Sequence, residues 1–63
     1  MMTLIDTLEY FIDDTRARCS DVKWEIDNTN DQSYLNDFKE EYAEHKQRLD
    51  NLLEIKSIIE AQQ

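Results

Sequence analysis

"EIDNTNDQSYL", residues 25–35, is the stretch whose reading decides the fold. Elsewhere the chain reads as helix almost without interruption. Its 63 residues contain no glycine and no proline. Glu, Lys, Leu, Gln and Ile dominate the second half, a composition that favours helix. A β-rich domain of this size would need several turns, and turns usually draw on Gly and Pro. What remains to settle is whether one rod runs through residues 25–35 or two helices meet there.

The apolar register answers it. Before the stretch, apolar or small residues recur at Met1, Ile5, Leu8, Ile12, Thr15, Cys19, Val22 and Ile26, in alternating steps of four and three. This is a heptad stripe, with Ile5, Ile12, Cys19 and Ile26 at position a and the others at d. Thr3 can cap its start, with Asp6 three residues on. After the stretch a second stripe runs through Leu35, Phe38, Tyr42, His45, Leu49, Leu52, Lys56 and Ile59. Continuing the first register would put Thr29, Ser33 and Glu40 in the seam instead. A straight rod would therefore turn its apolar face away in mid-course.

The stretch thus predicts a break. Asn28 can adopt the left-handed conformation that ends a helix. Thr29 with Gln32 forms a capping box for the next one, and Asp31 favours its positive N-terminus. A loop of about two or three residues forces the helices antiparallel. The expected fold is an all-α, single-domain helical hairpin over residues 1–63, with helix 1 over about 3–27 and helix 2 over about 30–61. Folded this way, Ile26 meets Leu35, Val22 meets Phe38, Cys19 meets Tyr42 and Thr15 meets His45. Ile12 then meets Leu49, Leu8 meets Leu52, Ile5 meets Lys56 and Met1 meets Ile59. Thr15 and His45 share one polar core layer, where hydroxyl and imidazole can satisfy each other. A lone buried polar group would cost about 1–3 kcal/mol. The layer reads as a device that fixes register. A pH switch is the functional alternative, because histidine titrates near neutrality.

A chain this short buries a thin core and is marginal alone. One cysteine, Cys19, excludes an internal disulfide, and one histidine leaves no Cys/His zinc set. Partnering remains. Two helices meeting along one seam need only narrow stripes, yet the end opposite the loop has more. Helix 1 adds Met2, Leu4 and Phe11, and helix 2 adds Leu53, Ile55 and Ile58. Hiding even ~500 Å² of apolar area is worth about 12 kcal/mol before ordering costs. Leu4, Ile5, Leu8, Phe11, Ile12, Leu49, Leu53, Ile55, Ile58 and Ile59 are therefore the candidate oligomer or partner interface. The expected assembly is a homodimer forming a four-helix bundle, its hairpins stacked in either direction. Tyr10 and Trp24 point away from the seam, with Ala17 between them, and are candidates for outer-face recognition.

The net charge is −8. Residues 1–31 hold eight acids and three bases, and residues 32–63 hold seven and four, so the charge is a surface property and not a tail. Such a surface disfavours direct binding to nucleic acid or anionic membranes and suits a partner with a basic surface. "MMTLIDTLEYFIDD" lacks the basic region and cleavage site of a signal peptide. No apolar run approaches the ~18 residues of a membrane span. A soluble, reduced, cytoplasmic setting is expected.

Sets of residues that could carry chemistry are incomplete. Glu41 and His45 are four apart, whereas a carboxylate-bridged di-metal site wants Glu-x-x-His from two helices. Glu44 and Arg48 read as a surface pair. Cys19 sits at a core position and reads as packing. Asp13–Asp14 and Glu40–Glu41 point to different faces. No catalytic residue, metal or cofactor is expected.

"QRLDNLL", residues 47–53, resembles the signature of the sporulation-phosphorelay aspartyl phosphatases, which are also short helical hairpins. Gln47, Leu49 and Asp50 match it, but Lys46 stands where the signature has Ser, and the activity is not carried over. In length and hairpin form the chain also resembles the Rop-like plasmid regulators, which dimerise and bind RNA. Helix 1 offers only Arg16, Arg18 and Lys23 toward such a role, among the eight acids of its half. In size and acidity it is similar to small accessory proteins of tailed phages, a likeness that implies inhibition of a host or defence protein.

The expected function is a non-enzymatic protein–protein interaction module, a small acidic adaptor, inhibitor or regulator. The alternative is a nucleic-acid mimic presenting Asp6, Asp13, Asp14, Asp21, Asp27, Glu40, Glu41 and Glu44 to a DNA- or RNA-binding protein.

Overall fold

The computed structural model describes residues 3–62. They form two helices, α1 over Leu4–Asn28 and α2 over Gln32–Ala61, with no strand. The chain is an all-α helical hairpin.

At the start of α1 the expected capping box is present. The Asp6 N–H donates to Thr3 Oγ1 at 3.1 Å, and the Thr3 N–H donates to Asp6 Oδ2 at 3.2 Å. Two donors that a helix N-terminus would leave open are thereby satisfied.

The break falls where the register placed it, by other means. Asn28 stays helical, and no described residue has a positive φ. Its side-chain Nδ2 folds back and donates to the Trp24 carbonyl one turn earlier at 2.7 Å. Thr29 does not open α2. It closes α1 in an extended conformation, its N–H donating to the Glu25 carbonyl at 2.9 Å. Asp31 is the N-cap of α2 instead. Its carboxylate accepts from the Ser33 N–H at 3.0 Å and from the Ser33 hydroxyl at 2.7 Å. Asp caps at least as well as Thr. Capping from residue 31 leaves Thr29 and Asn30 to turn the chain, so α2 begins two residues later than expected.

Both sequence stripes become the seam. Leu8, Ile12, Thr15, Cys19 and Val22 are buried, and Ile5 and Ile26 are half-buried. On α2 Leu49 is buried, while Leu35, Phe38, Tyr42, His45, Leu52, Lys56 and Ile59 are half-buried. Thr7 is the one further helical residue that is not exposed. Ile12, Cys19 and Leu49 cluster, with Tyr42 and Leu52 packed against them. Across the open end, Lys56 Nζ reaches Glu9 Oε1 at 3.2 Å, as an antiparallel arrangement requires. The expected contact of Met1 with Ile59, and Met2, lie outside the described residues.

The seam is thin. Among the described residues no side chain is less than 2 % exposed. The radius of gyration is 14.6 Å, against about 11 Å for a globular chain of this length. The hairpin measures 48 × 20 × 12 Å, one helix thick.

Candidate functional site

Because the two helices run antiparallel, a pseudo-two-fold axis pierces the broad faces of the hairpin. Each heptad flank of α1 therefore lies on the same broad face as its equivalent on α2. Lettering α2 with Leu35, Tyr42, Leu49 and Lys56 at a, one face carries the e and b positions and the other g and c. The ion pairs bear this out. Lys56 bridges Glu9 at 3.2 Å and Glu60 at 3.9 Å, and both acids are at e. His45 leans the other way, toward Glu41 at g.

At the open end the two faces differ. The Glu9–Lys56–Glu60 network lies across the e/b side, where the added apolar residue, Leu53, is 36 % exposed. The g/c side at that level carries Leu4, Phe11, Ile55 and Ile58, which are 62 %, 49 %, 44 % and 52 % exposed. The charges nearest them on that flank are Arg48, level with Phe11, and Asp14, one turn beyond it. The sequence grouped these residues with Ile5, Leu8, Ile12, Leu49 and Ile59 as one candidate interface. The structure separates them. Leu8, Ile12 and Leu49 are buried in the seam and unavailable to a partner while the hairpin is intact, and Ile5 and Ile59 are half-buried at its edge.

The loop half is charged on both faces. Between residues 15 and 46 the e/b side carries Arg16, Lys23, Lys39 and Lys46 with Asp27. The g/c side over the same span carries Asp21, Glu25, Asp37, Glu41 and Glu44 with Arg18. Arg18 is itself held by Asp14 at 3.1 Å. The net acidity of the chain thus conceals a face that is locally basic. Glu44 and Arg48, expected as a surface pair, form no ion pair within 4.0 Å, whereas Lys46 pairs with Asp50 at 3.6 Å.

Tyr10 and Trp24 are both exposed, as their position away from the seam implies. Tyr10 meets Phe11 edge-on, with ring centroids 5.8 Å apart. Sequence reasoning missed Tyr34, which is exposed and stacks on Phe38 at 6.4 Å. Its place immediately before Leu35 was the available signal, since a g residue borders the seam.

The polar layer is not self-satisfied. Thr15 is buried, but no hydrogen bond joins it to His45. The imidazole turns Nε2 toward Glu41 Oε1 at 3.4 Å, longer than a good hydrogen bond, and buries Nδ1 without a partner. Neither ring nitrogen of His45 bonds to the Thr15 hydroxyl.

The described side chains singled out for chemistry lie apart from one another. Cys19 is buried among apolar neighbours. Gln47 donates to Asn51 at 3.0 Å on the exposed surface, and Asp50 is engaged by Lys46. Among the described residues no group of three or more His, Cys, Asp or Glu could hold a metal ion, and no helix is long and apolar enough to cross a membrane. The two hydrogen bonds from Ser33 hold the Asp31 carboxyl below its ordinary range.

Compared with protein-family models, with curated proteins and with solved structures, the chain finds no match in any of the three.

Proposed function

We propose that this protein is a non-enzymatic interaction module, a small acidic adaptor, inhibitor or regulator. It pairs with a second copy through its open half, making a four-helix bundle there, and docks on another protein. One observation carries the reading. Leu4, Phe11, Ile55 and Ile58 stand in water on a single flank of a hairpin too thin to cover them. Contiguous exposed apolar surface of this kind marks contact sites. Tyr10 and Trp24 supply aromatic anchors on the outer side. The overall charge suits a partner with a basic surface, not nucleic acid or membrane, in a cytoplasmic setting. The phage-like size and acidity favour an inhibitor of a host or defence protein.

Mimicry of nucleic acid is the weaker reading. Its acids are dispersed. Asp6, Asp13 and Asp27 fall on the e/b side, Asp14, Asp21, Glu41 and Glu44 on the g/c side, and Glu40 on the outer edge. The g/c side also carries Glu25 and Asp37, but Arg18 and Arg48 stand among its acids, and half of the acids named lie on other faces.

Sedimentation equilibrium across micromolar concentrations tests the proposal. The mass is expected to rise to two chains. Phe11→Asp is expected to return it to one chain with helicity unchanged. A single chain at every concentration overturns self-association. For a protein partner, apolar docking survives moderate salt and fails on Phe11→Asp, whereas mimicry weakens steeply with salt and is competed by DNA.

A further inference from the structure

We propose that the basic half of the e/b side is a docking surface for an acidic helix of another protein. It is a second surface, separate from the apolar flank and independent of self-association. Arg16, Lys23, Lys39 and Lys46 all occupy e positions, two on each helix. The register that packs Tyr42, Leu49 and Leu52 with Ile12 and Cys19 sets Arg16 level with Lys46 and Lys23 level with Lys39. The four bases thus mark the corners of a window astride the seam. Ser20 and Ala43 stand within it at b, and no acid does. Asp13, Asp27 and Asp50 lie at its ends.

This window differs from an ordinary solvated face in two ways. The chain has 15 acids and 7 bases, so carboxylates outnumber bases two to one. Arg18, Lys46 and Lys56 each have a carboxylate within 4.0 Å, whereas among the described residues Arg16, Lys23 and Lys39 have none. Like charges also face each other here across the seam, at positions where paired helices ordinarily set opposite charges. The other side of the seam follows the ordinary rule, with Arg18 level with Glu41 at g. Repulsion at two successive levels weakens the hairpin alone, and local rules are broken in this way at functional sites. An anionic partner between the two rows turns that repulsion into attraction.

The surroundings select the occupant. The bases of each row are seven residues apart, roughly 10 Å along the helix at 1.5 Å per residue. A nucleic-acid strand or an anionic membrane would run past the window onto the acids at its ends. Among the described residues there is no pocket, so a small anion would lack the enclosure that small ligands need. A helix laid along the seam fits. Its carboxylates, seven residues apart, recur with the same rise as the bases, and its apolar positions cover Tyr42, which is half-buried at a between the rows. The acidic half of a second copy fits less well. It carries Arg18 among its acids, and e/b on g/c is a head-to-tail contact that does not close on itself. The overall acidity does not prevent the docking, because charges beyond about 8 Å are screened in physiological salt.

The probe is a synthetic helical peptide of Glu, Ala and Leu, its glutamates along one face at heptad spacing, titrated into the isotope-labelled full chain and followed by amide NMR. At low salt it is expected to shift the resonances of Arg16, Ser20, Lys23, Lys39, Ala43 and Lys46, and rising salt is expected to reverse the shifts. The decisive variant exchanges neighbours, Lys39→Glu with Glu40→Lys. Composition and net charge stay the same, while one base moves from the window to the outer edge. The exchange is expected to abolish the peptide shifts and to raise the thermal midpoint of the hairpin, because a carboxylate then faces Lys23. An unchanged or lowered midpoint would mean that the like charges carry no cost, and would overturn the proposal. Peptide shifts that are absent, or centred on the g/c side, overturn it as well. Equal shifts from a DNA oligonucleotide of the same charge overturn the assignment to a protein helix. Window shifts that grow with chain concentration before any peptide is added make the occupant a second copy and overturn it likewise.

Discussion

The open half and the loop half of this hairpin share a seam of the same period and differ in everything outside it. In the open half, residues 4–15 and 46–61, apolar side chains spill past the seam onto one flank, and an ion network crosses the other. In the loop half the flanks are charged, basic on one side and acidic on the other, and the seam residues of α2 are half-buried. The difference shows that heptad periodicity makes a hairpin, while the flanking positions decide what the hairpin can touch. The open half leaves apolar side chains in water, and the loop half leaves charges there.

The largest expected effect tests where stability resides. Leu49→Ala removes the one buried α2 side chain from the Ile12–Cys19–Leu49 cluster, and about 2–5 kcal/mol should be lost in urea unfolding. For a thin two-helix chain that is enough to unfold it at room temperature. Leu35→Ala, in the half-buried loop-half seam, should cost about 1–2 kcal/mol. Equal losses at the two sites would break the comparison.

An intermediate effect belongs to the border between the halves. His45→Leu deletes a buried Nδ1 that has no partner and a long contact to Glu41. Unfolding at neutral pH should show unchanged stability or a gain of about 1 kcal/mol. A clear loss would mean that the ring does more than set the register.

The smallest effect lies at the loop. Folding lowers the Asp31 carboxyl pKa through the Ser33 hydrogen bonds, so the folded state favours the charged form. The contribution is fully present above the pH at which the unfolded carboxyl titrates. It is lost as pH falls through the lower folded value. Asp31→Asn, which still caps, should flatten this acid limb in a pH series of unfolding midpoints and leave the neutral value nearly unchanged.

Most of the fold was legible because a heptad stripe has one physical meaning. Residues that recur by fours and threes share a helix face, and two stripes in conflicting phase require a break. The caps at the loop were less legible. Thr29 and Asp31 can both cap, and the choice depends on which placement lets the chain reverse without a left-handed residue. Thr15 and His45 both fall in the seam, but the absent hydrogen bond between them depends on rotamers that no periodicity encodes. The candidate surface was legible as a surplus of apolar residues. Dividing it between seam and flank needed the contact between Lys56 and Glu9, which is a fact of three-dimensional proximity.

Lys56 has a consequence beyond its ion pairs. A lysine at a seam position, where a leucine would pack better, keeps the e/b side from becoming a second adhesive flank beside Leu53. Under the proposed self-association, one adhesive flank would give each molecule a valency of one, and assembly would terminate at a pair. With two flanks on opposite faces it would have a valency of two, and contacts that do not close on themselves grow into fibres. In the proposed pairing the charged contact across the open end would act as a chain terminator, holding the assembly to a finite size.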